Sequence, residues 1–169
     1  MGPDGPFLCQ QTNQIKTIMK LYVVYFRTMQ DSPEVEIRCV TADESKATAA
    51  FEKAKEEERE WMADEDEDSG NWAEARLEVF GKTEQRNPGD IVFLAVETVW
   101  HECVETSIAP YLYEINANAH VDFRREDLMK DYPGLTPFDE DESPEKSMHL
   151  EDPSVMVDVY FDVIACKLV

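Results

Sequence analysis

Apolar positions along this chain recur with two periods, and the longest unbroken apolar run is Ile91-Val-Phe-Leu-Ala-Val96, entered through Asn87-Pro88-Gly89. A β-branched and aromatic run of that length predicts an interior strand covered on both faces. The stretch from Gly89 to His101 is therefore expected to be the centre of the fold. Beyond Val96 it reverts to alternation, which turns Glu97 and His101 outward. Lys20 to Met29 reads as a strand, Gln30 to Pro33 as a turn, and Val35, Ile37 and Cys39 alternate with Glu36 and Arg38 as the second arm of a hairpin.

The period changes after Thr41. Thr41-Ala-Asp-Glu44 has the spacing of a capping box, in which two side chains satisfy orphan backbone N–H groups at a helix start. Ala47, Ala50, Phe51, Ala54, Trp61 and Met62 then share one stripe, interrupted by Glu58, which predicts an amphipathic helix over about residues 42–63. Trp72 to Phe80 alternates as a strand. Glu102 to Thr106 is polar enough to turn, and Ile108 to Ile115 is an aromatic strand in which Pro110 demands an edge or a bulge. Asn116-Ala-Asn118 reads as a turn, Ala119 to Phe123 as a short strand, and Arg124 to Lys130 as one or two helical turns. Residues 135–153, with seven acids and three prolines, read as a long mobile acidic loop. The last strand spans Ser154 to Val169.

These elements predict an α+β fold: an antiparallel-rich sheet of five to seven strands, the 42–63 helix packed on one face, and long acidic loops. Residues 1–18, with Gly-Pro breakers and little periodicity, are expected to be a flexible extension. Residues 19–169 then form a single domain, a size that can bury roughly 70% of the unfolded surface.

Charge alters the picture more than any motif. The 37 acids against 16 bases leave a net charge of −21, far beyond the magnitude of about 2–8 that serves a small domain well. Such an excess opposes binding to bare nucleic acid or an anionic membrane, and attracts basic surfaces. The four cysteines, Cys9, Cys39, Cys103 and Cys166, are dispersed, and no long apolar span or secretory leader is present, so a reduced, cytoplasmic protein is expected.

Three constellations invite a metal. Asp64-x-Asp66-x-Asp68 resembles the start of a calcium loop, but the turn glycine, Gly70, comes one position late and the closing acid, Glu74, one early. His101 and Cys103 at one strand end, with His120 and Asp122 on a neighbouring short strand, form a conceivable four-ligand site with no standard zinc spacing. Asp158 and Asp162 share one side of the last strand and could bind magnesium or divide acid–base work. There is no Gly-rich phosphate cradle and no nucleophile elbow. Neither an enzyme nor a cofactor is expected; a small metal-binding module using His101, Cys103, His120 and Asp122, or Asp158 and Asp162, is the alternative.

Nine of the thirteen residues from Glu56 to Asp68 are acidic, and a second acidic block spans residues 139–152, densest from Asp139 to Glu142. Carboxylates spread over a rigid scaffold can imitate the charge spacing of a phosphate backbone and occupy a basic groove. In composition and size the chain resembles the DNA-mimic proteins, many of them small inhibitors carried by phages and mobile elements. That resemblance implies a non-catalytic inhibitor of a basic, nucleic-acid-binding partner. The contacts expected are Glu56, Glu57, Glu60, Asp64, Glu65, Asp66, Glu67, Asp68, Asp139, Glu140, Asp141 and Glu142, with Trp61, Trp72 or Phe138 as apolar anchors. Salt-adapted acidity is the bland competing reading.

Overall fold

The computed structural model describes residues 18–30, 32–65, 70–82, 86–101, 103–137 and 147–169. Its elements in chain order are β1 (Met19–Met29), β2 (Pro33–Thr41), α1 (Glu44–Asp64), β3 (Trp72–Lys82), β4 (Ile91–Trp100), β5 (Val104–Tyr111), α2 (Glu114–Asp131), β6 (Thr136–Pro137), β7 (Ser147–Asp152) and β8 (Val157–Lys167). The α+β class, the antiparallel pairing and the main helix on a sheet are as the sequence predicts. The strands, however, divide into two sheets, one ordered β2-β1-β3 and the other β5-β4-β8-β7-β6.

The alternation within each strand decides how these pieces stack. In β1, Leu21, Val23 and Tyr25 face one way and join Val92, Leu94 and Val96 of β4 in the core between the sheets. Tyr22, Val24 and Phe26 face the other way and meet Ala47 and Ala54 of α1. On the far side of the larger sheet, Val157, Val159 and Phe161 of β8 pack with Leu128 of α2. The layers are therefore α1, small sheet, large sheet, α2, and the two helices lie on opposite outer faces. The Gly89 run becomes β4, an interior strand between β5 and β8 whose Val92, Leu94, Ala95 and Val96 are all buried. Gly89 itself has φ +98°, a left-handed conformation in which a side chain would be strained.

Several expectations need correction. Helix α1 begins at Glu44, not 42: Asp43 is its cap, accepting from the backbone N–H groups of Ser45 (2.9 Å) and Lys46 (3.2 Å). Thr41 instead donates to the Val169 carbonyl, and Glu44 accepts from the Tyr22 hydroxyl. In β2 the pairing with β1 slips at Val24/Tyr25, leaving Arg38 as the extra residue. That bulge sends Cys39 to the α1 side while Ile37 and Val40 both face the large sheet. Strand β5 starts at Val104, inside the stretch read as a turn, and ends at Tyr111.

The largest correction lies in 114–131. The turn at 116–118, the strand at 119–123 and the short helix at 124–130 are one continuous helix, α2. Ala119 to Phe123 alternates well enough for a strand, but Ala117, Val121 and Leu128 recur at helical spacing and all face the large sheet. Within the stretch read as a loop, Ser147–Asp152 is strand β7, fixed along β8 from Ser147↔Asp162 to Asp152↔Val157. Leu150 supplies the burial that holds it, at 2% exposure. Residues 138–146 and 1–17 lie outside the described residues. Among the described residues no helix is long and apolar enough to cross a membrane.

Candidate functional site

The acidic residues expected to meet a partner begin on α1. Its stripe of Ala47 and Ala54 is sealed against the small sheet, so Glu52, Glu56, Glu60 and Asp64, four apart, form an exposed outer ridge. Part of the acid is neutralised locally. Arg59 pairs with Glu56 at 2.6 Å, Arg38 with Glu57 at 2.9 Å, and Lys55 with Glu58 at 2.6 Å. Glu65 accepts from the Asn71 side-chain amide at 2.8 Å. Glu52, Glu60 and Asp64 have no ion pair among the described residues. From Glu52 to Asp64 there are six acids and three bases, a net of −3 over about 20 Å of helix. A DNA duplex carries about 12 charges over that length. The ridge alone thus has about a quarter of the duplex's axial charge density, and the rest of such a footprint must come from other acids. Asp66, Glu67, Asp68, Asp139, Glu140, Asp141 and Glu142 lie outside the described residues, as does Phe138.

Two of the aromatic anchors expected from the sequence, Trp61 and Trp72, are half-buried and make contacts within the molecule. Trp61 is half-buried in the α1 cluster, and the Trp72 ring lies under the Arg27 guanidinium at 4.9 Å. Glu58, the acid that interrupts the α1 stripe, serves the fold by accepting from the Ala75 N–H at 2.7 Å. Met62 Sδ does the same for the Ala73 N–H at 3.3 Å. Together they cap the outer edge of β3 at Ala73 and Ala75.

The four-ligand constellation does not assemble. His101 and Cys103 are exposed in the β4–β5 turn, joined by a His101 N–H to Cys103 carbonyl bond of 3.2 Å. His120 and Asp122 sit on α2 rather than on a strand, where residues two apart point about 200° away from each other. Asp122 pairs with Arg125 at 3.4 Å. Among the described residues no three His, Cys, Asp or Glu side chains converge on a point that could hold a metal. Asp158 and Asp162 do share a face of β8, both half-exposed. His149 of β7 meets Asp158 at 3.0 Å and stacks on Tyr160 with ring centroids 4.3 Å apart. Burial raises the Tyr160 pKa, and Asp158 and Glu151 add to the rise.

One constellation escaped the sequence reading. Glu97, expected to point outward, is 7% exposed. It accepts two hydrogen bonds from Arg124 of α2, from Nε at 2.8 Å and Nη2 at 2.9 Å. Arg124 also reaches Asp127 at 3.3 Å. This pair forms the back of an open cleft of about 450 Å³ between α2 and β5, lined by Glu97, Val99, residues 105–109, His120 and Arg124. Burial lowers the His120 pKa, with Glu97 opposing and Arg124 reinforcing the shift, so its neutral form is favoured there. The Tyr111 ring stands 5.5 Å from it. The signals in the sequence were an acid within the most apolar strand and an arginine 27 residues on. Only the helical reading of 114–131 brings them together.

No protein-family model, no curated protein and no solved structure matches this chain.

Proposed function

We propose that this chain is a non-enzymatic acidic binding protein that docks on a basic partner, a nucleic-acid-binding protein whose cationic groove it occupies as a DNA mimic would. The observation that carries this reading is the net charge of −21, together with Glu52, Glu60 and Asp64 projecting without ion pairs among the described residues from the outer ridge of α1. Repulsion of that size opposes compactness without improving packing, whereas it raises the encounter rate with a cationic surface and repels other polyanions. Glu56, Glu57 and Glu65, engaged in local pairs, supply the rim. The acids of the Asp64–Asp68 and Asp139–Glu142 blocks belong to the contact set of this reading.

The test is charge reversal on the ridge. The triple variant Glu56→Lys, Glu60→Lys, Asp64→Lys is compared with the parent for binding to poly-L-arginine and for capture of proteins from lysate, with folding checked by circular dichroism. The expected result is a loss of affinity of about tenfold or more, since each exposed charge contributes some tenths of a kcal/mol and reversal doubles the change. Equal binding by the folded variant and the parent would remove α1 from the interface.

A further inference from the structure

Part of the β5 wall of the α2–β5 cleft is not made by side chains. Residues 105 to 109 all line it, although Ile108 points its side chain into the core between the sheets and Thr106 turns its hydroxyl toward Thr98 and Arg27. Thr106 and Ile108 therefore face the cleft with their main chain.

The pairing of β5 agrees. Among the described residues it is an edge strand whose only neighbouring strand is β4, with Pro110 opposite Leu94 and Thr106 opposite Thr98. Proline has no N–H to give to a ladder, so the Pro110 position is one whose amide side faces away from β4. Positions two apart share that direction, which makes Val104, Thr106 and Ile108 outward-facing as well. The Arg27 guanidinium confirms this at one end, donating to the Val104 carbonyl at 3.2 Å. Between that cap and Pro110, the N–H and C=O groups of Thr106 and Ile108 have no partner among the described residues.

Other edges are capped in part: Met62 and Glu58 accept from the Ala73 and Ala75 N–H groups at one end of β3, and the Val169 N–H bonds the Val40 carbonyl near the end of β2 at 3.0 Å. An uncovered edge is a template for another strand. A second copy of the chain is a poor occupant, since each copy carries −21. Most charges near the opening are paired, Glu97 and Asp127 with Arg124, Asp127 also with Lys130, and Arg27 at the Val104 end with Glu74. Glu105, by contrast, is exposed and has no ion pair among the described residues, and the Ser107 hydroxyl adds an acceptor.

The geometry points to an extended segment of a basic partner protein that adds as a further strand to β5 at Thr106–Ile108, placing a lysine or arginine side chain in the cleft beside Glu105. Main-chain bonds would supply the affinity and the carboxylates the selectivity, the division of labour seen when peptides augment a sheet. The charge of the ligand rests on the function proposed above; the strand geometry does not.

The probe is the acetylated, amidated peptide Val-Lys-Val-Arg-Val, titrated into the isotopically labelled full chain while backbone amide resonances are followed. Controls are the same peptide N-methylated at alternate residues and the Val-Glu-Val-Glu-Val peptide. The expected result is saturable perturbation centred on Thr106 and Ile108, weakened about tenfold or more by N-methylation and by Thr106→Pro, which removes one outward N–H. Binding that leaves 106–108 unperturbed, or that N-methylation does not weaken, overturns the edge site while leaving acidic docking intact. Equal binding of the acidic peptide overturns the proposed ligand charge. Perturbation of 106–108 by protein concentration alone, with dimer in sedimentation, assigns the edge to a second copy and overturns the proposal.

Discussion

Replacing Arg124 with alanine strips the partner from a carboxylate that the fold has buried. Glu97 is 7% exposed, and its two bonds, 2.8 and 2.9 Å, both come from Arg124. Removing one member of a buried pair costs about 3–5 kcal/mol, because the remaining charge is left in a poor solvent. Here the guanidinium side is 33% exposed, so water can follow it in from the cleft, and the cost falls to about 2–3 kcal/mol. For a chain of this length that corresponds to a fall in Tm of about 4–12 °C. Urea unfolding of parent and variant at neutral pH, with unchanged m, measures it directly. Adding Glu97→Gln to Arg124→Ala should recover about 1–2 kcal/mol, since a neutral amide is cheaper to bury than a carboxylate. An Arg124→Ala protein within about 0.5 kcal/mol of the parent would refute the reasoning and show that Glu97 is solvated without its partner.

Other outcomes follow from the same contacts. Glu58→Ala should cost about 1–3 kcal/mol by orphaning the Ala75 N–H, while Glu58→Gln, which keeps an acceptor, should cost less; equal losses in denaturant unfolding would contradict the edge-capping role. Among the described residues, two groups tie stability to pH below neutrality. Burial pushes Glu74 upward, but hydrogen bonds from Arg27 and Arg76 outweigh it and hold its pKa below 4.5. Its contribution is therefore present above 4.5 and lost as pH falls through the lower folded value. His120 is depressed below 6.5 chiefly by burial. Its protonation accordingly penalises the fold, beginning as pH drops beneath 6.5 and complete below the folded value. A His120→Gln variant should lose the stability decline just below pH 6.5 and keep the one in stronger acid; unfolding curves across pH that remain parallel to the parent's would sink this assignment.

What the sequence disclosed follows from the range over which each signal acts. The apolar run of β4, the β1–β2 hairpin and the amphipathic α1 are local patterns, and they hold. The split into two sheets depends on which odd or even face of β1 and β4 meets which neighbour, a choice that alternation alone leaves open. Ala119 to Phe123 satisfies both periods over five residues, and only the longer stripe through Ala117 and Leu128 decides for the helix. Strand β7 was hidden because its acids, Glu151 and Asp152, outweigh Met148 and Leu150 in composition, yet β8 gives it a register. The cleft was invisible for a related reason: Glu97 and Arg124 belong to different elements, and Thr106 and Ile108, whose side chains turn elsewhere, meet it with main chain, which carries no residue-type signal.

The acidic ridge was legible as charge but not as geometry. Local pairing with Arg38, Lys55 and Arg59 shows that part of the acid on α1 balances nearby bases. In the proposed reading, Glu52, Glu60 and Asp64, which have no ion pair among the described residues, are what a basic partner would meet.

The most direct measurement is the dependence of partner binding on ionic strength, read by calorimetry against poly-L-arginine between about 50 and 200 mM salt, where the screening length shortens to below about 10 Å. Docking through many carboxylates predicts a linear fall of log affinity with log salt, amounting to about tenfold or more over that range, with a shallower slope for the ridge-reversed variant. Affinity unchanged across the range, or no binding even at the lowest salt, would contradict the account.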